Sequence, residues 1–364
     1  MRRRTDRAWG RVRATGTSTS QALLLLAVGL WASPLAASAQ QPSPPRFEWV
    51  ISSSQDTVFE RPEEIAADPS TGRVFVSDGL RRRVFVIDAA TGHVLGGFGR
   101  EGAGPGEFRA PDVLAVSAAR DRVAVYDLLA HAVSFFDRAG RFLGRRAVAP
   151  LLIWPKGIAV LNDSLVVIAS GVQSPGDQVP ALHWLEPQSP RLTSTGPFAA
   201  PSGGTPAQRA RANAGVYVAG GPLLTTSSGV LFADGPTGDV WAVGRDSARL
   251  IARGPGAPPD LGERMVILGT TEQGERFFRP WWTFPRAVLL DTLAGGRFLL
   301  AMTIQDSALV RFYELRPGAP ARPLGTVRAT VRSASPYDRT SCVVSGEDSL
   351  GGYFIGRLRY PFSR

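Results

Sequence analysis

Residues 62–88 read PEEIAADPSTGRVFVSDGLRRRVFVID, and residues 111–137 read PDVLAVSAARDRVAVYDLLAHAVSFFD. Each begins with proline, alternates apolar with polar or small residues, turns, alternates again to an aspartate (Asp78, Asp127), turns once more, and ends on a second aspartate (Asp88, Asp137). Period-two runs of Val, Phe, Leu and Ile bounded by Gly, Asp and Ser are strands joined by tight turns. Weaker copies run from Pro155 to Glu186, Ser227 to Gly244, Pro285 to Glu314 and Arg339 to Phe362. No long stretch after the first 39 residues carries a helical stripe. Units of about 40 to 50 residues with three or four strands each predict the blades of a β-propeller. The sixth copy holds only about three strands, and FEWVISSS at 47–54 is free to become its missing outer strand by pairing near Leu358–Phe362. That pairing would close the ring and remove the exposed edges of an open array.

Between the first two copies lies FGREGAGPGEFRAPDVLAV, residues 98–116. A phosphate-binding loop would need a Gly-Lys-Ser/Thr ending that opens a helix; here the glycines lead to Glu107-Phe108-Arg109-Ala110-Pro111 and another strand. The stretch reads instead as the crossing from one blade's outer strand to the next blade's inner strand, where glycine permits the tight backbone.

RVFVSDGLRRRVFVID followed by GREGAGPGEFRAPDVLAV resembles the NHL-repeat, six-bladed β-propeller family, whose repeats carry a V-x-V-x-D strand and a Gly-rich crossing ending in proline. The likeness is good over residues 61–146 and weaker elsewhere. It implies an all-β fold of six four-stranded blades, as in bacterial exported members. It also implies that Asp78 and Asp127 bond the backbone of the turns that follow them. Propellers host unrelated activities, so the likeness carries fold further than function.

The first 39 residues have the parts of a secretory signal: six arginines, the apolar run Ala22–Ala32, and Ala37-Ser38-Ala39 before Gln40. The expectation is cleavage after Ala39, a periplasmic or secreted propeller from residue 40 onward, and no membrane span thereafter. Without that segment the net charge falls from +10 to +5, 35 basic residues against 30 acidic. Half of the basic excess is thus targeting, and a nucleic-acid partner is not expected. The one cysteine, Cys342, forms no disulfide framework and reads as a small buried residue.

Candidate chemistry concentrates where inner strands start after proline. Glu63 and Glu64 follow Pro62, Asp112 follows Pro111, Lys156 follows Pro155, Arg286 follows Pro285, and Tyr337 and Asp338 follow Pro336. These positions predict a ring of charges at one channel mouth. Residues 197–215 and 255–284 interrupt the repeat after outer strands and should project from the same face. The second carries Arg276, Arg279, Trp281 and Trp282, an arginine-aromatic composition suited to a ligand or partner lid, or to filling a gap between blades. His93, His131 and His183 fall at separate places in the repeat and cannot converge on one zinc ion. The leading expectation is a monomeric binding module for a ligand or envelope protein, without catalysis or cofactor. The alternative is a gluconolactonase-like hydrolase or lactonase using Ca²⁺ or another divalent cation at Glu63, Glu64 and Asp112.

Overall fold

The structure is a computed structural model that describes residues 42–53, 58–149, 152–161, 165–172, 182–195, 220–226, 229–235, 237–256, 267–270, 276–278, 286–304 and 308–362. Residues 1–41, which include the proposed signal, lie outside these, as do Arg279, Trp281, Trp282 and the whole of 197–215.

Six four-stranded antiparallel sheets make a six-bladed β-propeller. From the channel outward, blade 1 is Pro62–Asp68, Arg73–Asp78, Arg83–Asp88 and Val94–Phe98, and blade 2 is Pro111–Ser117, Arg122–Asp127, Ala132–Phe136 and Phe142–Ala147. Blade 3 is Leu152–Val160, Val166–Val172, Leu182–Leu185 and Leu192–Thr195; blade 4 is Leu223–Thr226, Gly229–Ala233, Val240–Val243 and Ala248–Ala252. Blade 5 is Arg286–Leu293, Arg297–Ile304, Leu309–Leu315 and Arg322–Arg328. Blade 6 takes Thr330–Pro336, Ser341–Glu347 and Tyr353–Arg359 from the C-terminal end and its outer strand, Phe47–Ser52, from the N-terminal end. Phe47 stands opposite Leu358 and Ser52 opposite Phe354, so the ring closes by the expected exchange of ends.

The alternation of the second strands explains the packing. In blade 1, Val74 and Val76 join a cluster with Val343 and Ile355 of blade 6, whereas Phe75, between them, joins Val123, Val125 and Phe136 of blade 2. In blade 2, Val123 and Val125 turn back to blade 1, and Ala124 and Tyr126 turn forward to Ile158 and Val166 of blade 3. Successive residues of a pleated strand point to opposite faces. Because both faces of a blade meet a neighbour, both alternate sets must be apolar, and the second strands become nearly unbroken hydrophobic runs. Six buried clusters fill the six interfaces between neighbouring blades, including that between blades 6 and 1. Cys342 is buried in the cluster between blades 5 and 6.

The crossing from blade 1 to blade 2 is built as its glycines suggest. Gly99 has φ +82°, and a Cβ there would lie 2.3 Å from the ring of Phe108, which is fully buried. Gly102 has φ +153°, and a Cβ would meet the Glu107 carboxylate at 2.1 Å. That carboxylate accepts the Gly104 amide at 2.8 Å and pairs with Arg100 at 2.8 Å, folding the loop on itself.

Asp78 and Asp127 are fully buried. Asp78 accepts the amides of Leu80 and Arg81 in the turn that follows, at 3.1 and 2.9 Å, and also those of Glu60 and Arg61, at 2.8 and 3.1 Å. Asp127 repeats the device with Ala130 on one side and Arg109 and Ala110 on the other. Each therefore ties its own turn to the segment arriving at the inner strand, a second set of bonds beyond the turn itself.

The segment 255–284 contains one feature the sequence pattern did not suggest. Ile267–Thr270 pairs antiparallel with Arg276–Phe278, a two-stranded hairpin outside the six blades.

Candidate functional site

The inner strands of all six blades line one cavity of about 310 Å³ on the propeller axis. Its charged lining at the end where the inner strands begin is the ring; Asp291 of blade 5 lines the same cavity further along the strand from Arg286. Blade 1 contributes Glu63 and Glu64, blade 2 Asp112, blade 3 Lys156, blade 5 Arg286 and blade 6 Arg332. Blade 4 contributes Gly220 and Gly221. The inner strand is irregular where several of these residues sit: its pairing with the second strand slips between Pro62 and Glu64, between Pro111 and Leu114, and between Val331 and Ser333. A bulge re-aims a side chain, and here Glu63, Asp112 and Arg332 fall in the slipped register.

Tyr337 and Asp338 do not belong to this ring. The inner strand of blade 6 is Thr330–Pro336, with Thr330 opposite Glu347 and Pro336 opposite Cys342, so Tyr337 and Asp338 form the turn at the other end. Tyr337 lies beside Gly72, in the corresponding turn of blade 1. Asp338 accepts from Thr340 and Ser341 and pairs with Arg357, whose guanidinium stacks on Tyr337 4.5 Å from its ring centre. The proline that leads the inner strand in blades 1 and 2 ends it in blade 6, where the lack of an N–H is harmless. Arg332, two residues into that strand, holds the place expected of Tyr337 and Asp338.

The ring is tied to the scaffold by backbone and hydroxyl contacts. The buried hydroxyl of Ser77 donates to the Asp112 carbonyl and accepts the Glu64 amide at 3.1 Å, which fixes blade 1 against blade 2. The Ser333 hydroxyl donates to Glu64 Oε1, which also accepts the Ile65 amide at 3.2 Å. Arg61 pairs with Glu63, and Arg332 lies 3.8 Å from Glu63 and 3.6 Å from Glu347 while its guanidinium covers the ring of Tyr353. Arg286 donates to the carbonyl of Arg332, joining blade 5 to blade 6.

The six charged side chains sit deep in the molecule, yet each keeps an accessible fraction because the channel is open to water. Depth costs the ionised forms hydration. Burial raises Glu64 from 4.5 to about 7, against the hydrogen bonds from Ser333 and Ile65, and the charge of Asp112 adds to the rise. Burial also raises Asp112, opposed by Lys156 and reinforced by Glu63. Lys156 is lowered by burial and by Arg286, with the acids pulling the other way. Arg286 is held down to about 10 by burial and by Arg332. The ring thus gathers groups whose charge is expensive, and it sorts them by sign: acids on blades 1 and 2, bases on blades 3, 5 and 6, with the blade 5 acid Asp291 lying further along the channel.

Blade 4 is a gap between the bases, and its glycines are obligatory. A Cβ at Gly221 would lie 2.1 Å from the Ala233 carbonyl, and one at Gly220 would lie 2.9 Å from the Lys156 side chain.

The histidines are dispersed. His93 and His131 lie in exposed turns. His183 is fully buried, with Nε2 2.9 Å from the Ser170 carbonyl and Nδ1 2.9 Å from the Ser194 hydroxyl. A carbonyl only accepts, so Nε2 carries the proton. Among the described residues no cluster of three or more His, Cys, Asp or Glu is arranged to hold a metal, and no helix is long and apolar enough to cross a membrane. Of the lid residues, Arg279, Trp281 and Trp282 lie outside the described residues, and for Arg276 only the backbone, in the short hairpin, is described.

No protein-family model and no curated protein matches the chain. Solved structures do match along its length. A candidate exported protein from Bacteroides fragilis superposes with a TM-score of 0.54 at 11% identity, covering 88% of this chain and 98% of its own. A member of the DUF4221 family from Bacteroides vulgatus gives 0.50 at 8% identity, covering 88% and 99%. A protein named U3-55K gives 0.50 at 11%, covering 87% and 100%. At these identities the likeness defines the class, a β-propeller, and nothing narrower.

Proposed function

We propose that the protein is a binding module that holds a small polar ligand in the axial channel, at the end where the inner strands begin. The observation that supports this most is the sorted ring of charges on rigid inner strands around a cavity of ligand size. A purely structural ring would be expected to alternate signs from blade to blade, whereas here the ion pair of Arg332 with Glu63 spans the boundary between the basic and acidic sides, at blades 6 and 1. The sequence signal at residues 1–39 adds export to the periplasm or beyond, and Arg276, Arg279, Trp281 and Trp282 of the long segment are proposed as a lid over the same opening.

The rival reading, a divalent-cation hydrolase or lactonase at Glu63, Glu64 and Asp112, is disfavoured by charge. Lys156 acts on Asp112, Arg286 on Glu64, and Arg61 pairs with Glu63, so a cation placed among these acids would face three bases. Glu64 Oε1 also already accepts two hydrogen bonds.

Metal analysis of purified protein with melting in calcium or chelator separates the readings. The binding reading expects no bound cation and no calcium-dependent shift. It further expects small polar compounds to raise the melting temperature of the native protein but not of Pro222→Trp, in which an indole replaces a half-buried side chain lining the channel beside Gly221. Stoichiometric metal with calcium-dependent stability would transfer the conclusion to the rival.

A further inference from the structure

We propose that the channel selects a small zwitterion, an amino-acid-like molecule whose carboxylate sits by Lys156 and Arg286 and whose ammonium sits by Glu64 and Asp112. The inference rests on the reading of the channel as a ligand site and names the ligand's chemistry.

Like stands beside like around the ring, acids on the neighbouring blades 1 and 2 and bases on blades 3, 5 and 6. Glu64 feels the charge of Asp112, and Asp112 that of Glu63; Lys156 feels Arg286, and Arg286 feels Arg332, while Lys156 on Asp112 and Arg286 on Glu64 offset part of this between the two sides. Each neighbour of the same sign opposes ionisation in a site where burial already opposes it. An ammonium among the acids and a carboxylate between the bases reverse both effects at once. A simple anion answers only the basic side, and a simple cation only the acidic side; either leaves the channel charged. Complementary potentials of this kind confer specificity more than raw affinity.

Blade 4 supplies the room. At the level of the ring blade 4 presents Gly220 and Gly221, which carry no side chain, and a Cβ at either would press on its neighbours at 2.9 and 2.1 Å. The planar guanidinium of Arg286 suits a carboxylate, to which it can bond in parallel. At about 310 Å³ the cavity is at the lower end of ligand pockets, which run from about 300 to 1,000 Å³.

The groups that face the ligand give it a pH signature. They are Glu63 and Glu64 from blade 1, Asp112 from blade 2, Lys156 from blade 3, Arg286 and, further along the channel, Asp291 from blade 5, and Arg332 from blade 6; behind them Arg61 and the buried Tyr126 act on Asp112. Acidification neutralises Glu64 and Asp112 and removes the ammonium side of the site. Alkalinity neutralises Lys156 and weakens the carboxylate side. Affinity for a zwitterion should therefore fall on both sides of neutrality, whereas affinity for an anion should rise steadily as the pH falls.

The test is titration calorimetry on the intact propeller with glycine, β-alanine, 4-aminobutyrate and 6-aminohexanoate. The n-alkyl carboxylate and n-alkyl amine of each chain length, and inorganic phosphate, serve as comparisons. The expected result is one amino acid binding at least tenfold tighter than both of its one-charge counterparts, with a bell-shaped pH dependence. Lys156→Met should reduce it to the level of the amine and Asp112→Asn to that of the carboxylate, in variants whose melting confirms that they fold. If either variant does not fold, the pH profile of the native protein decides alone. Equal binding of a carboxylate or of phosphate would overturn the zwitterion and leave the ligand site standing. Binding by no member of any series would also overturn it, while the Pro222→Trp comparison would still report on the ligand site itself.

Discussion

Replacing Glu64 by glutamine should stabilise the protein above neutral pH and leave it unchanged in acid. Glu64 titrates at about 7 in the folded chain and at 4.5 when unfolded, so the folded state holds the proton more tightly. A raised acid of this kind adds stability that is complete below pH 4.5 and is lost as the pH rises through 7. The difference between the two values sets a ceiling of roughly 3 kcal/mol on the loss. Water in the channel solvates part of the charge, which brings the expected figure to about 1 to 3 kcal/mol. Glutamine keeps an oxygen for the Ser333 hydroxyl and the Ile65 amide, so the hydrogen bonds survive the exchange. Urea unfolding of both proteins at intervals from pH 4 to 9 gives the measurement. The curves should coincide at pH 4 and diverge between about pH 5 and 8, with the variant above. Parallel curves, or a variant less stable at pH 9, would refute the reasoning, since either means that the buried carboxylate costs nothing.

Asp78→Ala strips four backbone amides of their acceptor; those of the exposed turn regain water, but the Glu60 and Arg61 amides do so less readily, so a loss of about 3 to 5 kcal/mol in urea unfolding is expected, and a loss under about 1 kcal/mol would refute the role. Phe108→Ala, in the wall of aromatic rings with Phe136 at 5.5 Å, should cost about 3 to 5 kcal/mol by the same assay. Deleting residues 40–52 removes the outer strand of blade 6 and should produce aggregates on gel filtration that the native protein lacks, because Tyr353–Arg359 becomes an unpaired edge.

The fold was legible because a propeller imposes the same alternation many times over. The inner strands of blades 4 and 6 were not, for separate reasons. Blade 4's inner strand is the four-residue Leu223–Thr226, entered through Gly220-Gly221-Pro222 with no charged residue to mark it. Blade 6 uses TVRSASP, polar on its channel side and ending on the proline that elsewhere signals a beginning. Length could have corrected that reading. In blade 1 a four-residue turn separates the inner strand from the second, so the strand before Ser341 has to end at Pro336. Arg332 would then have joined the ring from the sequence alone. The sorting of charge by sign was hidden by the same misplacement, because reading Tyr337 and Asp338 as the blade 6 members put an acid where Arg332 stands.

That closure also sets an order of events. Ser52 pairs with Phe354, and Trp49 reaches across to donate to the Ala89 carbonyl of blade 1 at 2.9 Å. The first strand to emerge from a ribosome or a translocon therefore waits for the last, and no complete ring exists while any of the chain is still in transit. Contacts so distant in sequence are slow to form. Folding should show a late phase that reports only on blade 6, and a truncated chain should leave every upstream blade without its clasp.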